Sequence, residues 1–162
     1  MVNLKVEHYL KIILAISLIS IMSAYFIEYA LGHQPCNLCL IERIPYALSI
    51  VLIAMNYKLR KNEKFIVLLL ILVFIFSFLI SVYHFGIEQG FFEESVVCAS
   101  KNTPDIISKE ELLKILNEKT ISCKDVTFRV FGLSLTSINI FVSLLITIML
   151  IKVYTKNEKN KS

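Results

Sequence analysis

Charge is what this chain has least of. Only 19% of its 162 residues are charged, 56% are hydrophobic, and the mean hydropathy is +0.69. Soluble domains carry about 25% charged residues, and one domain of this length could not hide so much apolar surface from water. A polar face is missing too: 65-FIVLLLILVFIFSFLISVYHF-85 has no side to turn toward solvent, which argues against a very apolar soluble bundle. Segment 12–31 lacks a small-x-small cleavage pattern and is interrupted by Glu28. It is therefore expected to be a retained helix, not a removed signal peptide.

What is present is apolar sequence in four runs: 12–31, 38–57, 65–85 and 130–151. Each has about the 20 residues a helix needs to cross hydrocarbon. The expected fold is all-α, an integral membrane four-helix bundle in one domain, 1–162. Lysines and arginines set its orientation. Lys5 and Lys11, the link 58-KLRKNEK-64, and the tail with Lys152, Lys156, Lys159 and Lys161 fall on one side of four spans. That side is expected to be cytoplasmic, with both termini inside. The outer loops are then about 32–37 and 86–129, and the longer one has six bases against eight acids. The net charge of +4 reflects this topology. It gives no reason to expect nucleic acid.

All four cysteines fall on the outer side, two in each loop region: Cys36 with Cys39, and Cys98 with Cys123. Disulfides persist in such a compartment. The placement suggests those two pairs, although four cysteines allow three pairings. A bond across Cys-x-x-Cys closes too small a loop to stabilise much, so exchange chemistry explains this pair better than stapling. Both sulfurs lie near the start of the second span, where first-turn amides favour a thiolate. Arg43 follows Cys39 by four residues and Cys36 by seven, which places all three on one helix face. Its guanidinium either stabilises a thiolate and a ligand oxygen or snorkels to the interface. Glu42 either takes part in that chemistry or faces headgroups. Pro45 is expected to kink or start the regular helix.

His84 closes the third span at the depth of the cysteine pair. It is a proton donor or ligand contact there, or simply hydrogen-bonds to a neighbour. Ser134, Ser137 and Asn139 in the fourth span suit helix packing. Between Cys98 and Cys123, Ser108 and Glu111 form a capping box. A short amphipathic helix is expected over 108–119, lying along the interface or packed within the loop. Pro104 and Asn102–Thr103 before it read as a hinge.

The stretches 35-PCNLCLIER-43, 83-YHFGIE-88 and 132-GLSLTSIN-139 resemble the disulfide bond formation protein B family, DsbB and relatives such as DsbI. The resemblance spans nearly the whole chain, and its Pro-Cys-x-Leu-Cys-x-x-x-Arg signature is far more specific than a bare Cys-x-x-Cys. It implies a thiol:quinone oxidoreductase of the bacterial inner membrane that sustains protein disulfide formation. The partner would be a periplasmic DsbA-like thiol oxidase of thioredoxin fold, reoxidised by this protein. Ubiquinone or menaquinone would accept the electrons, and no metal is expected. By the same resemblance Cys36, Cys39, Cys98 and Cys123 are catalytic. Arg43, His84 and Glu42 belong to the quinone site. One departure is the absence of tryptophan: relatives commonly place one before the Gly-Leu-Ser run, where this chain has Phe128 and Phe131.

Two other readings fit the residues less well. A reductase resembling vitamin K epoxide reductase places its Cys-x-x-Cys on a later helix. A membrane anchor whose four cysteines hold zinc is less suited to a helix-bound pair beside Arg43.

Overall fold

The computed structural model describes residues 4–58, 63–94, 98, 122–124, 128–130 and 132–159. The expected amphipathic helix at 108–119 lies outside the described residues. Helices α1 (Leu4–Tyr29), α2 (Asn37–Ile41), α3 (Ile44–Lys58) and α4 (Glu63–Glu88) come first. A strand pair, β1 (Arg129–Val130) and β2 (Leu133–Ser134), then leads into α5 (Leu135–Lys159).

Four stretches are long and apolar enough to cross a membrane: Val6–Tyr29, Asn37–Lys58, Glu63–Glu88 and Leu135–Thr155. The protein is a four-helix membrane bundle. Helix α4 packs most extensively on α5, α3 lies against both α1 and α4, and α1 closes the ring on α5. Val6, Ile66 and Val153 share one core with Ile13, Ile53, Phe74 and Ile146. The start of α1 and the end of α5 therefore lie at the end of the bundle where α3 passes to α4. The other end holds the cysteines.

Lipid explains the inside-out distribution of side chains. Met22, Phe26, Leu79, Phe141 and Leu145 are exposed, whereas Ser17, Ser49, Ser77, Ser81 and Ser143 are fully buried. Hydrocarbon is as apolar as leucine, so burial of apolar groups does not drive helices together there; close packing and interhelical hydrogen bonds do. Ser17 and Ser49 are hydroxyl to hydroxyl at 2.8 Å between α1 and α3. Ser81, Ser143 and Thr147 each return a hydrogen bond to a carbonyl four residues back, which satisfies the hydroxyl within its own helix.

The second span is divided. Its first turn is α2, residues 42 and 43 form a turn, and α3 restarts at Ile44. Pro45 accounts for the division, since it has no N–H to donate to the Ile41 carbonyl and its ring crowds that group. The fourth helix begins at Leu135 instead of residue 130. The preceding residues form an antiparallel hairpin pairing Arg129 with Ser134 and Val130 with Leu133. Gly132, at φ +84°, supplies the left-handed turn residue.

Helix α4 ends in a Schellman motif. Gly90 is at φ +77°, its N–H donates to the Ile87 carbonyl at 3.0 Å, and the Phe91 N–H donates to the Gly86 carbonyl at 2.8 Å. The turn folds the Phe92 ring onto Gly86, where a Cβ would collide with it.

Phe74 is 0% exposed and meets Tyr46 edge-on at 5.7 Å between ring centroids. Phe141 is 64% exposed. Phe74→Ala should cost about 3 kcal/mol and lower the thermal midpoint of the protein in detergent. Phe141→Ala should leave that midpoint nearly unchanged. Equal effects would contradict the assignment of Phe141 to the lipid face.

Candidate functional site: a disulfide pair backed by a buried polar network

The two disulfides are Cys36–Cys39, with Cα atoms 5.1 Å apart, and Cys98–Cys123, with Cα atoms 5.4 Å apart. Cys36 caps α2: the Cys39 amide donates to its sulfur at 3.1 Å. Cys36, Cys98, Cys123, Leu38 and Ile87 are all buried in one cluster, with Cys39 and Ile80 against it. The two disulfides therefore lie in one packed region, although the pairs are 59 or more residues apart in sequence.

Behind Cys36 stands His84, 2% exposed near the end of α4. Its Nε2 is 3.6 Å from the Cys36 sulfur. Its Nδ1 is 2.9 Å from Glu42 Oε1 and 3.2 Å from Thr136 Oγ1. The Thr136 hydroxyl donates to Glu88 Oε1 at 2.6 Å, so toward His84 it can only accept. Two acceptors at Nδ1 put the ring proton there in the neutral imidazole, and Nε2 then turns a lone pair to the sulfur.

Glu42 is held in turn. Its Oε2 accepts from the Asn139 amide at 3.1 Å, and the same amide nitrogen donates to Ser81 Oγ at 2.8 Å. The Tyr46 hydroxyl donates to Asn139 Oδ1. One polar chain thus runs from Cys36 through His84 and Glu42 to Asn139, joining the second, third and fourth spans. Glu88 borders it, with Oε1 4.0 Å from His84 Nε2 and a buried Oε2 that has no hydrogen-bond partner among the described residues.

Arg43 points elsewhere. Residues 42 and 43 form the turn between α2 and α3, and Arg43 meets α1 from there. The guanidinium pairs with Glu28 Oε2 on α1 at 2.5 Å and lies over the Tyr25 ring at 5.2 Å. Tyr25 and Phe26 near Glu28, and Leu40 and Ile44 near Arg43, are exposed.

Of the residues expected at the site, Cys36, Cys39, His84 and Glu42 come together, and Cys98 and Cys123 join them through the apolar cluster. Arg43 occupies a neighbouring, partly buried position against α1. From the sequence, Glu88, Thr136 and Asn139 are not expected in the network, nor Glu28 as the partner of Arg43. One signal was visible for Glu28, a lone acid in an otherwise apolar span, since an ionisable residue there is expected to have a partner. Phe128 packs against His33, with ring centroids 5.2 Å apart. Residue 131 lies outside the described residues.

A membrane bundle with two disulfides at one end defines a class: multi-pass membrane proteins of thiol–disulfide chemistry. Residues 7–153 match the family described as "Disulfide bond formation protein DsbB", and the chain belongs to that family. Membership supports a role in disulfide bond formation as a thiol–disulfide oxidoreductase. The chain is also 30% identical over 152 residues to the uncharacterized protein RP370 of Rickettsia prowazekii (strain Madrid E), covering 91% of this chain and 88% of that one. No solved structure gives a significant match.

Glu42→Ala would leave the His84 Nδ1–H and the Asn139 amide short of an acceptor in a buried site. Each such loss costs about 1–3 kcal/mol, so denaturation in detergent should show a loss in that range or above. Glu42→Gln keeps one acceptor oxygen and should lose less. If Glu42→Ala were as stable as the unmodified protein, Glu42 would not be organising the network.

Proposed function

We propose that the protein reoxidises a DsbA-like thiol oxidase outside the bacterial inner membrane and passes the electrons to a membrane quinone. The observation that carries this reading is the placement of both disulfides in one cluster at one end of a membrane bundle. A water-soluble dithiol donor and a lipid-soluble acceptor can be coupled only where a reachable loop meets membrane depth.

In this reading Cys98, only 2% exposed here, is uncovered before the partner thiolate attacks it and displaces the Cys123 thiolate, giving a mixed disulfide. The partner's second thiol resolves that bond and leaves with a disulfide, so Cys98 and Cys123 hold two electrons as thiols. Exchange with Cys36–Cys39 re-forms the loop disulfide and leaves the inner pair reduced. Cys39, the less buried sulfur of the pair, faces the quinone. Two electrons and two protons pass to it, and Cys36–Cys39 closes again. His84 takes the Cys36 proton through the Nε2 lone pair and gives it up as the acceptor is reduced, with Glu42 steadying the imidazolium in between.

Arg43 suits a quinone oxygen. It is cationic, lies at a lipid-exposed aromatic surface, and has five N–H donors, so its pairing with Glu28 does not exhaust them. Aimed at an oxygen that gains negative charge, such donors lower the barrier to reduction. The basic residues at the opposite end support an orientation with the cysteines outside the cytoplasm.

Turnover is measured by following quinone reduction by a reduced partner oxidase under anaerobic conditions. Cys36→Ser and Cys39→Ser should each abolish it. Cys98→Ser should block transfer from the partner while a small dithiol still reduces the inner pair. Arg43→Ala should raise the apparent quinone KM about tenfold, the loss expected for a charge-assisted hydrogen bond. Full turnover in Cys36→Ser would overturn the assignment of the inner pair, and an unchanged KM in Arg43→Ala would remove the oxygen contact.

A further inference from the structure

The Cys36–Cys39 site has a second property, independent of any partner or quinone. We infer that its reduced form is a binding site for a borderline-soft divalent cation such as Zn2+, held by the sulfurs of Cys36 and Cys39 and by His84 Nε2.

Geometry carries the inference. The three donor atoms lie within 4.8 Å of one another. Zinc binds thiolate sulfur at about 2.3 Å and imidazole nitrogen at about 2.0–2.1 Å in a tetrahedron. The sulfur–nitrogen edge of that tetrahedron is about 3.6 Å, and the Cys36 sulfur lies 3.6 Å from His84 Nε2. Breaking the disulfide lets the Cys39 sulfur swing away from Cys36 by side-chain rotation. The α2 cap and the polar network keep the other two donors in place.

The surroundings of His84 are those of a metal ligand. A coordinating histidine usually donates its remaining ring N–H to a carboxylate or carbonyl, which fixes the tautomer and aims the free lone pair. His84 has that arrangement, with Nδ1 at 2.9 Å from Glu42 Oε1 and Nε2 facing the sulfurs. Glu42 is itself anchored by Asn139. Independently, Glu88 is 6% exposed in its side chain, has Oε1 4.0 Å from His84 Nε2, and carries a buried Oε2 without a hydrogen-bond partner among the described residues. A small shift of this carboxylate, or a water, completes four-coordination. Cys39 is only partly buried and gives the ion its entry.

Oxidation state gates the site. In the disulfide the sulfurs are not thiolates and hold no zinc. Two-electron reduction by a dithiol gives two thiols, and metal binding releases their two protons. The bound cation then holds both sulfurs apart and prevents the disulfide from re-forming. Zinc therefore traps the protein in its reduced state.

The test uses the full chain in detergent, with Cys98→Ala and Cys123→Ala to remove the other dithiol. The inner disulfide is reduced with a phosphine, the reductant is removed anaerobically, and Co2+ is titrated as a spectroscopic probe. The expected result is one Co2+ per chain with thiolate-to-cobalt absorption, displaced by Zn2+, and none in the oxidised sample. His84→Ala and Glu42→Gln should each weaken binding about tenfold or more. The second keeps the packing and decides the matter if the first does not fold. No thiolate band in the reduced chain, equal binding by the oxidised chain, or undiminished affinity in Glu42→Gln would overturn the inference. Because neither partner nor quinone is present, failure here is separate from failure of the electron-transfer reading.

Discussion

The contact between His84 Nδ1 and Glu42 Oε1 organises this end of the molecule. Few places are less hospitable to a carboxylate and an imidazole than the mouth of a bundle surrounded by hydrocarbon. Ionisable side chains persist there only when paired, and each partner here is itself held. Thr136 and Asn139 reach in from α5, Ser81 from α4 and Tyr46 from α3. These groups help fix the register of three helices, beside the close packing of the apolar core. The sulfur of Cys36 inherits a fixed position opposite a nitrogen lone pair.

A second ionic contact works at the edge of the first. Arg43 and Glu28 tie the start of α3 to the end of α1, and the guanidinium covers the Tyr25 ring. Adjacent residues 42 and 43 thus serve different contacts: the acid meets the histidine, and the base meets Glu28 on α1.

Much of this was legible in the sequence. Hydrocarbon demands long apolar runs, so the four spans announce themselves in composition alone. Cys-x-x-Cys, Arg43 and the Pro-Cys motif are local and can be read without a fold. The hairpin before α5 was missed because Val130, Phe131 and Leu133 are apolar enough to look like the start of the span, and Gly132 was not weighed as a turn. The polar network was not legible as a network. Glu42, His84, Thr136 and Asn139 sit on separate spans, and no one-dimensional pattern states how one helix is rotated against another. Asn139 in particular read as a packing residue. It is instead the group that holds Glu42 in place from α5 while also contacting α4 and α3.

The division between α2 and α3 also has a mechanical side. Closing or opening a disulfide changes the separation of two sulfurs on a single turn of helix, and in a rigid rod that strain would travel down the span. Here the turn carrying the cysteines is joined to the membrane rod at a proline that withholds one hydrogen bond. The turn that carries the sulfurs is thus held to the rod by one hydrogen bond fewer than in an unbroken helix.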